Sequence, residues 1–364
     1  AKEYFETAYK NGSTEALIHL GILYLNGFGV EQNFEKTIEY IELAVRKNSS
    51  EALCALGFLH LMGLGFKKDY IKARELFEKS AEKNNLDAYI YIGNLYMYGQ
   101  GVNSNWTIAK EYYEKSFQNR NLNGLYYLGK IYYYDYPKDY KKALEYFKKS
   151  TKDNNSNANI YIGHCYLNGY GVEKDAFKAI EYYELATQAI NLRGFNALGK
   201  LYLKGADKIN KDYQKARKYF EESSDGKNPD AFYYLGKIYY KGLGVDKNFK
   251  KAREYFESSA KYFNKRCLFY LGKMFEHGEG VDIDLYKAIE YYRECAQNRN
   301  EIFISYGPGG WNEEVRKNSY YYCSNNDLGL IYITENVFQN KKYQSEAEEY
   351  LKEAGLNEYP FGQN

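Results

Sequence analysis

The chain has 364 residues, with 50 Lys and Arg against 48 Asp and Glu, a formal charge of +2 and a pI near 8.0. A nucleic-acid-binding domain is ordinarily more basic, with its basic residues gathered; here the two signs are interleaved, which argues against a nucleic-acid partner. No apolar run approaches the roughly twenty residues of a membrane span.

Only 4 Pro occur against 45 Tyr, and scarce Pro suits a chain that is helical almost throughout, because Pro inside a helix costs about 3 kcal/mol. Residues 1–10 read as the second helix of a truncated repeat: Ala1 and Ala8 stand seven apart, with Tyr4 and Phe5 as its aromatics. Without an initiating Met, this beginning is expected of a piece of a longer protein. Eight repeats follow over residues 11–298. Their anchor glycines are Gly21, Gly57, Gly93, Gly129, Gly163, Gly199, Gly236 and Gly272, with spacings of 34 to 37 residues, and Gly329 returns after 57. A fixed period of this length is the signature of stacked two-helix units.

Within each unit the apolar stripe has helical spacing, as in Ala231, Leu235 and Tyr239. The first helix is expected to close at Gly27, Gly63, Gly99, Gly169, Gly205, Gly242 and Gly278, where a left-handed residue satisfies the last carbonyls. The second is expected to open on Asn33, Asp69, Asn105, Asp139, Asp175, Asp212, Asn248 and Asp284, whose side chains accept free backbone N–H groups. A helical Gly costs about 1 kcal/mol against Ala, so the anchor glycine must let the second helix lie against the first. The reading is all-α: a right-handed α/α superhelical solenoid of about nine antiparallel two-helix repeats. An insertion fills 299–322, a terminal capping repeat 323–355 and a tail 356–364.

Stretches such as "ALCALGFLHLMGLGF", "NANIYIGHCYLNGYGV" and "AFYYLGKIYYKGLGV" resemble the Sel-one-like repeat family, a branch of the tetratricopeptide-like α/α superhelices. The resemblance covers about residues 1–355. It implies a non-catalytic scaffold, since members of that family act as adaptors in endoplasmic-reticulum-associated degradation, activators of chitin synthase, assembly factors, and bacterial factors that contact host proteins. Two departures stand out. The Gly129 repeat has "DYPKDY" in place of Gly-x-Gly, and His60 stands where the family has Tyr. One branch staples its hairpins with paired Cys and binds β-lactam-like compounds; Cys54, Cys165, Cys267, Cys295 and Cys323 do not follow that pattern and are expected to be buried thiols.

Enzyme chemistry has little support. His19, His60, His164 and His277 fall in four different repeats, with no nucleophile or carboxylate patterned beside them. The Gly-x-Gly turns follow helices and lack the Lys of a phosphate loop. No cofactor or metal is expected. The odd Cys number leans towards the cytoplasm, with the endoplasmic-reticulum lumen open.

By analogy with tetratricopeptide arrays, first helices should line a concave groove. Its apolar part is expected at Ile18, Ile22, Leu25, Phe58, Leu61, Met62, Ile90, Met97, Tyr98, Tyr126 and Tyr133. Its basic part is expected at Lys130, His164, Lys200, Lys204, Lys237, Lys241 and Lys273. Such a groove suits a protein or peptide with apolar and acidic stretches. The alternative is a docking subunit of a stable complex, using the convex face or the insertion, where Phe303, Tyr306 and Trp311 could anchor a partner. An enzyme or small-molecule binder ranks last.

Overall fold

A computed structural model describes residues 1–297 except 119–120, 136–137, 154 and 263. The insertion at 299–322 with Phe303, Tyr306 and Trp311, the terminal repeat at 323–355 and Cys323, and the tail at 356–364 lie outside the described residues. Those described form seventeen α-helices, with no strand beyond an isolated bridge between Ala206 and Ile209. The chain divides into two compact units, residues 1–182 and 183–364.

In the first unit, α1 (Lys2–Lys10) precedes four hairpins and the first helix of a fifth. The hairpins pair α2 (Glu15–Asn26) with α3 (Phe34–Arg46), α4 (Ser50–Met62) with α5 (Tyr70–Glu82), α6 (Leu86–Tyr98) with α7 (Trp106–Gln118), and α8 (Asn123–Tyr134) with α9 (Tyr140–Ser150). Helix α10 (Ser156–Asn168) follows, and α11 (Ala176–Gln188) runs across the division. The second unit pairs α12 (Leu192–Lys204) with α13 (Tyr213–Asp225), α14 (Pro229–Lys241) with α15 (Phe249–Ala260), and α16 (Lys265–His277) with α17 (Leu285–Gln297).

Local signals place the helix ends. All eight expected caps accept a backbone N–H three residues on; Asn33 and Asp212 take those of Lys36 and Lys215 at 2.9 Å, and Asp284 takes that of Lys287 at 3.1 Å. Such a cap is worth about 1 kcal/mol. Six closing glycines are left-handed, from Gly27 to Gly278. Gly205 departs from the expectation. Its φ of 73° comes with ψ of 170°, a region open essentially to Gly alone. The turn after it reads Ala-Asp-Lys-Ile, without a second Gly, and closes through the Ala206–Ile209 bridge. The other irregular turn ends α8 on Asp135 in an extended conformation, because no Gly is there to enter the left-handed region.

Six anchor glycines meet a ring, while Gly21 meets Ile41. A Cβ built on Gly93 would lie 2.5 Å from Tyr113, and one on Gly236 would lie 2.5 Å from Phe256; Gly57, Gly129, Gly199 and Gly272 face Phe77, Phe147, Phe220 and Tyr292 in the same way. Each ring thus sits flat on the first helix of its own hairpin. It then stacks on a tyrosine of the next first helix: Phe77 on Tyr91, Tyr113 on Tyr127, Phe147 on Tyr161, Phe220 on Tyr234 and Phe256 on Tyr270, at 4.8–5.0 Å. Stacked aromatic pairs add about 0.5–1.5 kcal/mol beyond burial. The Tyr excess is therefore largely a stacking requirement.

Two further ties recur. Buried serines on the second helices donate to carbonyls at the start of the first: Ser80 to Ser50 and Ser259 to Pro229 at 2.6 Å, Ser223 to Leu192 at 3.0 Å. Except at Gly29, the second glycine of the Gly-x-Gly turns packs on the residue that opens the second helix of the hairpin before it. A Cβ on Gly101 would meet Tyr70 at 2.6 Å, and one on Gly244 would meet Tyr213 at 2.7 Å.

Candidate partner-binding face

The first helices supply the candidate face, and their positions divide by burial. Among the apolar residues expected there, Leu61, Ile90, Met97 and Tyr126 are buried at 3–7 % exposure. Ile90 and Met97 belong to the core around Tyr113 and Leu128. This corrects the expectation that they form an open wall. The same residues that face along the stack fill the space between one first helix and the next. Ile18, Leu25, Phe58, Met62, Tyr98 and Tyr133 are half-buried, and Ile22 is exposed. Tyr133 lies amid the rings of Tyr134, Tyr140, Tyr161 and Tyr170, at 4.8–5.9 Å.

Lys130 is not the open first rung it was expected to be. It is 3 % exposed, donates from Nζ to Tyr98 Oη at 2.6 Å, and lies 5.3–5.8 Å from the ring centroids of Tyr98, Tyr126 and Tyr127. A cation held over ring faces gains about 2 kcal/mol when desolvated, which lets an ammonium persist there without a carboxylate. Lys130 ties α8 to α6. His164, on α10, is half-buried with its ring 6.1 Å from that of Tyr161.

The second unit is different. Lys200 and Lys273 are half-buried, Lys204 and Lys241 exposed, and Lys237 half-buried. One acid stands among them. Asp230 on α14 is buried, bonds the Arg266 guanidinium of α16 through Oδ1, and takes Lys200 of α12 at 3.8 Å through Oδ2. Arg266 also lies over the Tyr233 ring at 4.3 Å, and Lys200 over that of Tyr234 at 5.3 Å. Three consecutive first helices meet at this carboxylate. Burial holds the Lys237 ammonium below the usual lysine range, and Lys241, Lys204 and Arg266 push it the same way against the opposing Tyr234. The Lys row was legible as a pattern; Asp230 was not, because a lone acid one residue into a helix reads as an ordinary first-turn charge.

The cations of the second helices behave otherwise. Arg74, Lys110, Arg217 and Arg253 each face a Glu one turn on, at 3.4–3.7 Å. Exposed pairs of this kind are worth about 0.3–0.5 kcal/mol each.

The four described cysteines are buried, and burial pushes the thiols of Cys54, Cys165 and Cys267 up to about 12. A thiol so rarely ionised packs as a small hydrophobe. Among the described residues, no three His, Cys, Asp or Glu converge on a metal-sized site, and no helix is long and apolar enough to cross a membrane.

Among curated proteins, none matches the chain. Among solved structures, c5321, a protective antigen of uropathogenic Escherichia coli displaying an SLR fold, is 29 % identical with a TM-score of 0.51, over 82 % of this chain and 64 % of the antigen. The chain thus spans somewhat under two thirds of that relative's length. A Sel1 repeat protein from Oxalobacter formigenes is 22 % identical with a TM-score of 0.53, over 82 % of this chain and 88 % of its own. The Sel1 repeat profile matches residues 14–49, 50–85, 86–121, 122–155, 156–190, 196–228, 229–261 and 265–300. Eight near-contiguous matches, with two helices in each, place this chain in the Sel1 repeat family.

Proposed function

We propose that the chain is a non-catalytic interaction scaffold that holds an acidic segment of a partner protein on the first-helix face of its second unit. Sel1 repeat proteins are generally protein-interaction scaffolds, and that general role is the frame. The observation that carries the finer reading is the row Lys204, Lys237, Lys241 and Lys273: none has an ion pair within 4.0 Å among the described residues, and the three helices that carry the row hold only two acids, Asp230 and Glu276. Like charges gathered without a counter-charge repel, and a partner carboxylate relieves the repulsion while gaining charge-assisted hydrogen bonds. The exposed and half-buried apolar side chains of the first unit, Ile18, Ile22, Leu25, Phe58 and Met62, offer their own face to an apolar stretch.

The test is charge reversal. Lys200→Glu, Lys237→Glu and Lys273→Glu together should weaken binding of a labelled poly-glutamate peptide by about a hundredfold at low salt, a loss near 2.8 kcal/mol. Unchanged affinity with an unchanged salt dependence would remove the reading.

A further inference from the structure

The same face shows how it treats an anion, because it already holds one. Asp230 carries a single negative charge, and each of its oxygens is met by a cation from a different neighbouring hairpin, Arg266 on one side and Lys200 on the other. Its one charge is countered by those two. Glu276 and Glu279, the remaining acids at that end of α16, accept tyrosine hydroxyls, from Tyr292 at 2.9 Å and Tyr240 at 2.5 Å, in place of lysines. Besides Lys273, the lysines of the row left without an ion pair form a triplet. Lys237 lies half-buried in the middle of α14, Lys241 stands one turn further along the same helix, and Lys204 ends the adjacent first helix α12. Lys241 and Lys204 are close enough to Lys237 to depress its proton affinity.

Resting on the acidic-partner reading, we infer that Lys204, Lys237 and Lys241 form a subsite for a dianionic phosphate group carried on a phosphorylated side chain of the partner. A phosphorylated serine or threonine brings about −1.5 to −2 charges and three strong acceptor oxygens, one for each ammonium. Lysines are compact point charges with freely turning donors and suit such a group. A single carboxylate has two oxygens and one charge, and Asp230 engages only two cations. The half-buried setting of Lys237 strengthens its own contact, since charges away from bulk water are screened less.

The experiment compares three labelled peptides on the intact chain by fluorescence anisotropy: an acidic Glu/Ala peptide with a central serine, the same peptide with phosphoserine, and the same with Glu at that position. The phosphopeptide is expected to bind about tenfold more tightly than the Glu peptide, a difference of about 1.4 kcal/mol. That advantage should vanish in the Lys204→Met, Lys237→Met, Lys241→Met variant and persist in a Lys67→Met control, with the thermal midpoint of each variant recorded to show that it folds. Equal affinity for phosphoserine and Glu peptides overturns the subsite and leaves the acidic-segment reading standing. Failure of all three peptides to bind overturns both. If inorganic phosphate alone binds as tightly as the phosphopeptide, the site serves a free anion and the phosphorylated-partner inference falls.

Discussion

The two units carry the same hairpin and opposite surfaces. In the first unit, α2, α4, α6, α8 and α10 contain three acids, Glu15, Glu51 and Asp87, and one cation, Lys130, which is buried. In the second, α12, α14 and α16 contain eight cations, Arg193, Lys200, Lys204, Lys237, Lys241, Lys265, Arg266 and Lys273, against the acids Asp230 and Glu276. The ring-on-glycine contact, the stacked ring pair and the cap are the same in both. The repeat therefore constrains the buried positions tightly and leaves the first-helix face free to differ. Net charge near zero for the whole chain conceals this division.

The largest expected effect tests whether the second unit depends on its charge cluster. Asp230→Ala leaves the Arg266 guanidinium, 11 % exposed at its side chain, without a counter-charge, and breaking a buried pair costs roughly 3–5 kcal/mol. Thermal unfolding should show it. Asp87→Ala, the matching and exposed position of the first unit, should change stability by under about 0.5 kcal/mol. Equal effects would erase the contrast. Next comes the feature the units share. Gly93→Leu in the first and Gly236→Leu in the second should each cost about 1–3 kcal/mol by overpacking, because Tyr113 and Phe256 occupy the space a side chain would need. A cost in only one of them would show that the hairpins are not equivalent.

Lys130→Met sharpens the comparison from the other side. It removes a buried charge and leaves Tyr98 without its partner, so stability should move by less than about 2 kcal/mol, while binding of the poly-glutamate peptide stays unchanged. Loss of binding would return Lys130 to the ligand row. The smallest effect is in pH. Lys237 has a folded-state pKa lowered from the usual 10.5, so between that lowered value and 10.5 the unfolded state binds more protons and stability rises with pH. Lys237→Met should remove that part of the slope in melts between pH 8 and 10.5. An anion bound beside Lys237 raises its pKa again, so binding should take up protons, measurable by titration calorimetry in buffers of different ionisation enthalpy.

The period of the anchor glycines, the caps from Asn33 to Asp284 and the closing glycines were legible because each answers a local backbone need that recurs at fixed spacing. Gly205 was misjudged as an ordinary closer, since its different ψ comes from the turn beyond it. The candidate face was only half legible. Its lysine row shows in the sequence, but Leu61, Ile90, Met97, Tyr126 and Lys130 occupy equivalent-looking positions and turn into the stack.

By itself, then, the sequence determined what lies within one hairpin: helix ends, the glycine seat and the ring that fills it, all set by residues close along the chain. Only the tertiary structure decided which side chains of the first helices remain open and which cations find an acid. Those outcomes depend on the neighbouring hairpin, about thirty-six residues away in sequence, as in the pairing of Asp230 with Arg266. A helix presents more than one face, and burial of any of them is settled when another helix arrives to cover it.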